Sequence, residues 1–283
     1  YCMASAKGGS GKTVLTATFG AFLLKLGKKG LLIDTDAGTN GLTLLFFKEV
    51  MLQSEIAYSK KRKPFGLFDT DGMKRLPEIV TLNNGVDLIP ASYEFINTGD
   101  VPYESFKMSL SITLHHLKEK YDFIFIDAQS GSDEVACYSM NREVSNEVII
   151  VSEYDPMSAA GVERLKGLLR EDLTYVRTWV LLNKMLPDFV QSFSDFLEVD
   201  KYLNPIPWDA EVVKAYARRK LAIDFDNGNE HTLAIMQTLK TLLGETIAVE
   251  LEKWTSEQSA SIKQPIENQY IDTENELEAL YQE

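Results

Sequence analysis

The sequence predicts an α/β protein: a doubly wound, mostly parallel sheet flanked by helices, followed by an acidic C-terminal helical extension. Three observations predict it. Short, near-continuous apolar runs alternate with stretches whose apolar residues recur at helical spacing. The first run passes straight into a glycine-rich turn that opens a helix. The chain, at 283 residues, is long enough for one large core plus a small appendage.

Tyr1–Ser5 reads as the first strand, and because the chain opens on Tyr1, the start of that strand is expected upstream. From Thr13 to Leu26 the apolar residues Val14, Leu15, Phe19, Phe22, Leu23 and Leu26 mostly keep helical spacing, with Gly27 as the stop. Further strands follow at Gly30–Asp34, Val86–Pro90, Phe123–Asp127, Val148–Val151 and Trp179–Asn183. Helices are expected around Ser105–Lys120, Ser158–Arg170, Phe189–Lys201 and Asp209–Lys220. Residues 1–245 are read as one domain and 246–283 as the acidic tail. Glu245–Glu283 holds ten acidic residues against two lysines, with a helix to about Ser256, a polar linker at Pro265 and a short helix near Thr273–Tyr281.

Composition narrows the function classes. A net charge of −13 disfavours DNA or an anionic membrane as a default partner. Cys2 and Cys137 are far apart and form no CxxC, which argues against a disulfide framework or a clustered metal site. No apolar run reaches the roughly 20 residues of a membrane span. Without an evident secretory signal, the chain is expected in the cytoplasm.

The chemistry concentrates first in residues 6–13, Ala-Lys-Gly-Gly-Ser-Gly-Lys-Thr. The ordinary phosphate-loop pattern would place Gly where Ala6 stands. Gly8, Gly9, Ser10 and Gly11 can still turn successive N–H groups inward, and the helix start at Lys12, Thr13 and Val14 adds its positive dipole end. Lys12 is suited to neutralise β/γ-phosphates and the Thr13 hydroxyl to ligate Mg²⁺. Lys7 supplies a second cation beside the phosphates. Two carboxylates, Asp34 and Asp36, close the second strand, where metal or water contacts are well placed; acidic turn-formers are the plainer reading.

KGGSGKT resembles the deviant Walker A motif, KGGxGK[ST], of the ParA/MinD family of P-loop ATPases. The resemblance implies Mg-ATP binding, slow hydrolysis unless stimulated, and a homodimer in the ATP state. In that family the first lysine, Lys7 here, reaches the phosphates of the second subunit. DTDAGTNG is similar to the family's switch I: Asp36 matches the position that activates the attacking water, and Asp34 supports the metal. FIFIDAQSG resembles Walker B and switch II, with Asp127 toward Mg²⁺ and the Gly131 N–H toward the γ-phosphate, although Gln129 replaces the usual Pro. Asn183 matches the family's adenine-reading Asn, and Pro207 and Asp209 its PxDxxV element; a helix N-cap is an equal reading of Asp209. Glu153 and Pro156 fit a loop that reaches the second subunit.

The resemblance covers about residues 1–245. Iron–sulfur branches lack their cysteines here, and a MinD-type basic membrane helix is incompatible with the acidic tail. The basic runs Lys60–Lys63 and Arg218–Lys220 are candidate DNA contacts, with solvated faces the favoured reading. Three functions remain: a switch that positions DNA or protein cargo and is reset by a partner protein; a nucleotide-gated regulatory subunit; and a small-molecule enzyme related to dethiobiotin synthetase, against which Lys7 argues.

Overall fold

The computed structural model describes residues 1–69, 75–94, 101–171, 176–186, 201–225 and 230–262. The helix expected at Phe189–Lys201 falls almost wholly outside them, and the one near Thr273–Tyr281 entirely so.

Seven strands form one sheet among the described residues: β1 Cys2–Ala4, β2 Gly30–Thr35, β3 Val80–Thr81, β4 Asp87–Ile89, β5 Phe123–Ala128, β6 Glu147–Ser152 and β7 Arg177–Leu182. Their spatial order is β3-β4-β2-β5-β1-β6-β7, parallel except for the β3–β4 pair. The central strands are buried along their length, which is why β2 and β6 read as unbroken apolar runs. The register pairs Asp34 with Asp127 and Met3 with Asp127 on either side of β5, so the carboxyl ends of three strands converge.

The helices are α1 Lys12–Lys25, α2 Gly41–Leu45, α3 Phe47–Ser59, α4 Tyr103–Leu117, α5 Glu134–Met140, α6 Pro156–Glu171, α7 Ala210–Ala217, α8 Glu230–Leu243 and α9 Ala248–Ile262. Helix α1 is the central one: Leu15 through Leu23 are all buried, so it is apolar nearly all round rather than amphipathic. Gly20 lets it lie close to the sheet, since a Cβ there would come within 2.8 Å of Leu32 Cδ2. Helix α6 approaches the loop after β1 in the same way: a Cβ on Gly161 would stand 2.4 Å from Ala6 Cβ.

The core runs past residue 245. Ile247, Leu251 and Trp254 belong to the same apolar cluster as α1, and Trp254 meets Phe22 edge to face at 5.1 Å. Lys28 at the end of α1 pairs with Glu250 at 2.6 Å. No helix among the described residues is long and apolar enough to cross a membrane.

Candidate nucleotide site at the carboxyl ends of the strands

The loop after β1 is shaped by two glycines in the left-handed region, Gly9 (φ 88°) and Gly11 (φ 89°), conformations that disfavour any side chain. Gly11 is also the N-cap of α1, whose first N–H groups have no intrahelical partner and are available to an anion. A Cβ on Gly11 would come 2.3 Å from Asn183 Nδ2, which donates to the Ser10 carbonyl at 2.8 Å. Lys184, itself left-handed at φ 58°, donates to the Gly9 carbonyl and pairs with Glu153 at 2.7 Å. The end of β7 thus braces the loop from one side.

Lys12 Nζ lies 2.7 Å from Asp127 Oδ1, and both side chains are buried. Burial opposes the lysine's charge, but the Asp127 carboxylate overrides it and holds the Lys12 pKa above its ordinary value. Thr16 Oγ1 shares the same carboxylate oxygen at 3.3 Å. The other oxygen, Asp127 Oδ2, is buried without a hydrogen-bond partner among the described residues. A buried, unpaired anionic oxygen is costly and calls for a cation or a water to complete it.

Asp34 is fully buried, and both its oxygens are engaged locally. Oδ1 accepts from the Asp36 N–H at 3.0 Å; Oδ2 accepts from the Thr43 N–H at 2.7 Å and the Thr43 hydroxyl at 2.6 Å. Burial and the neighbouring Asp127 charge push its pKa up to about 7, against the pull of those bonds. Asp34 therefore organises the loop next to the metal candidates. Asp36 closes its own turn, with Oδ1 accepting from the Gly38 and Thr39 N–H groups and Oδ2 from the Thr39 hydroxyl at 2.7 Å. The Gly131 N–H donates to the Ser5 carbonyl at 2.8 Å in this conformation, so it does not face the cavity as a phosphate donor.

A cavity of about 740 Å³ brings most sequence-predicted residues together: Gly8 through Val14, Asp36, Asn183, Pro207 and Asp209 all line it. Asp34 and Asp127 are buried behind that surface. Lys7 lies outside it, with Nζ 3.0 Å from Asp155 and 3.1 Å from Glu153 of its own chain. Those hydrogen bonds and charges raise the Lys7 pKa; Asp155 is held well below the usual carboxylate range by bonds from the Ser158 hydroxyl and N–H first, and by Lys7 after them. Asp209 caps α7, accepting from the Glu211 N–H at 2.7 Å. Among the basic runs, Arg62 pairs with Glu78 and Lys63 with Glu94, while Arg219 and Lys220 sit over Phe47 and Phe225.

Among the lining residues that sequence reasoning does not single out as site residues are Gln129, Trp208, Tyr216 and His231. In sequence Gln129 reads only as a departure from the motif. Its Oε1 accepts from the Gly38 N–H at 3.2 Å and its amide donates to Asp133, so it ties the loop after β2 to the one after β5. His231 belongs to no motif, and only the fold reveals it.

The donor set fits a nucleotide with Mg²⁺. The helix start and Lys12 suit phosphates, and Thr13 and the orphaned Asp127 Oδ2 suit the metal, directly or through water. Among the described residues there is no cluster of three His, Cys, Asp or Glu side chains that could hold a metal ion.

A family model described as an AAA domain matches residues 1–176. The putative septum site-determining protein MinD of Emiliania huxleyi is 26% identical over 252 residues, 86% of each chain. A putative plasmid partition protein of Borrelia burgdorferi bound to AMPPNP superposes with a TM-score of 0.68 at 22% identity, covering 86% of this chain and 97% of that one. MinD of Pyrococcus horikoshii complexed with Mg-ADP gives 0.63 at 19% identity, covering 88% and 97%. The matched domain, the sheet order and the loop KGGSGKT agree: the chain belongs to the ParA/MinD family of P-loop ATPases.

Proposed function

We propose that the chain binds Mg-ATP and hydrolyses it slowly to ADP and phosphate, as a homodimer that forms in the ATP state and governs the position of DNA or a protein cargo through a partner protein. The observation that carries this reading is the buried Lys12–Asp127 pair beside the open start of α1, with Asp127 Oδ2 left unpaired. It is a charge arrangement ready for a polyanion and its counter-cation.

In this reading the Gly8–Val14 backbone holds the phosphates, Lys12 turns its charge toward the β/γ oxygens, and Thr13 and Asp127 hold the metal. Mg²⁺, when bound, draws charge from the phosphate oxygens. Asp36, at the cavity wall on a turn braced by Gln129, orients and deprotonates the attacking water. Lys7 of a second copy completes the charge stabilisation, after leaving Glu153 and Asp155 of its own chain. The similarity to septum-site and plasmid-partition proteins supports a positioning role. The net charge of −13, with Arg62 and Lys63 paired to carboxylates, favours a protein cargo over direct DNA contact.

The test combines solution mass and phosphate release. With ATP, wild type and Asp36→Ala become dimers while Lys7→Ala stays monomeric. Asp36→Ala loses about 100-fold in hydrolysis and keeps ATP binding. A mass indifferent to nucleotide in all three proteins refutes the dimer switch.

A further inference from the structure

His231 lines the same cavity, and none of the roles assigned above uses it. It is the second residue of α8, 2% exposed, and neither Nδ1 nor Nε2 has a hydrogen-bond partner among the described residues. Burial pushes its pKa down to about 4, against a smaller opposing pull from the Asp209 carboxylate. At neutral pH the ring is therefore an uncharged imidazole with one donor and one acceptor, both unused. Folded proteins rarely leave such a group unpaired, so the ring calls for a ligand or a water to complete it.

A chain of contacts locates the ring relative to the phosphate loop. Asn183 and Lys184 hold the Ser10 and Gly9 carbonyls. The next residue, Met185, bridges to Pro207 and accepts from the Trp208 N–H at 2.8 Å. Asp209 follows, and its carboxylate acts on His231. His231 thus lies within electrostatic reach of Asp209, which lines the cavity together with Pro207, Trp208 and Val212. Apolar and aromatic walls from Pro207, Trp208, Val212 and Tyr216, with the Asp209 carboxylate and an uncharged His231 among them, suit a flat heteroaromatic group better than a phosphate.

We propose that His231 is a specificity-determining residue that hydrogen-bonds the base of the bound nucleotide. Adenine carries a ring-nitrogen acceptor beside an amino donor on its edge. A neutral imidazole can meet either group with whichever nitrogen faces it, whereas a protonated one offers donors alone. The inference rests on the nucleotide-binding reading above and adds to it a second base-reading residue beside Asn183.

Calorimetric titration of the full chain with Mg-ATP and with Mg-tripolyphosphate tests it. In His231→Leu the ATP affinity falls about tenfold while the tripolyphosphate affinity is unchanged. His231→Gln, which retains a donor and an acceptor, recovers part of the loss. The nucleotide-free leucine variant also melts about 2–4 °C higher than wild type, because an unpaired buried polar group has gone. A histidine that merely packs would instead lower the melting temperature on removal. Should the leucine variant not fold, His231→Asn, whose shorter amide withdraws from the base, must show the same selective loss. Unchanged ATP affinity in the variants, or parallel loss for both probes, overturns the proposal. Wild type binding tripolyphosphate as tightly as ATP overturns the base contact alone. Wild type binding neither probe overturns the nucleotide reading itself.

Discussion

Lys7 and Asp155 form an ion pair of 3.0 Å within one chain, and Glu153 takes the same ammonium at 3.1 Å. A lysine assigned to a second subunit's phosphates therefore has a resting place at home that it must vacate. The side chains are partly exposed, so the pair is worth little and the hold is light. Glu153 also takes Lys184, which rests on the Gly9 carbonyl, so the resting place is wired to the phosphate loop.

Weakening that hold should favour the dimer. Asp155→Asn keeps the oxygen that accepts from the Met157 and Ser158 N–H groups at the start of α6, while removing the charge that Lys7 uses. The ATP-dependent dimer constant is expected to tighten by up to about fivefold, since an exposed pair is worth at most about 1 kcal/mol. Sedimentation equilibrium with ATP measures it, and an unchanged or weaker dimer contradicts the latch.

Removing Lys12 should damage the empty protein as well as its binding. Lys12→Ala leaves the Asp127 carboxylate buried and uncompensated, at a cost of about 3–5 kcal/mol. Adding Asp127→Asn to the same chain should recover most of that stability without restoring nucleotide binding. Urea denaturation of the single and double variants reads the difference.

The buried imidazole also gives stability a pH dependence of known sign. The folded chain keeps His231 neutral down to about pH 4, whereas the unfolded chain protonates it near 6.5. Between those values the unfolded state binds more protons, so stability present above pH 6.5 is lost as the pH falls toward 4. The contribution is about 3 kcal/mol. Wild type should lose that much more stability than His231→Leu across this window in parallel denaturant titrations, and equal slopes would contradict it.

Gln129 spans two loops, accepting from Gly38 and donating to Asp133. Gln129→Leu should leave the ATP affinity within about twofold and slow hydrolysis about tenfold, because Asp36 shares the Gly38 N–H and loses its brace. Single-turnover phosphate release separates the two effects. A change confined to affinity would place Gln129 in binding instead.

Much of the fold was legible because a parallel sheet buried on both faces writes itself as unbroken apolar runs, as in Gly30–Asp34 and Val148–Val151. The phosphate loop was legible because glycine and lysine spacing carries a geometric requirement. The edge strand β3, two residues long and antiparallel, leaves too little pattern to read. Helix α3 keeps Leu52 and Ile56 exposed, which blurs its apolar stripe. Leu251 and Trp254 were hidden among the acidic residues of what reads as a tail, yet three-residue spacing puts both on the α1 cluster. At the site, the sequence placed Asp34 and Asp36 together but not Thr43, nine residues on, which occupies one Asp34 oxygen. His231 was invisible because its meaning lies in what surrounds it after folding.

The close approach of Gly161 to Ala6 binds two distant positions to one shared volume. Where an ordinary phosphate loop has glycine, this chain carries a methyl group, and the helix opposite has given up its own. The two positions should therefore trade across lineages: relatives with glycine at position 6 are free to enlarge position 161, and those with alanine are not. An alignment of relatives would show the exchange as a correlated substitution, a historical record of how the altered loop was accommodated.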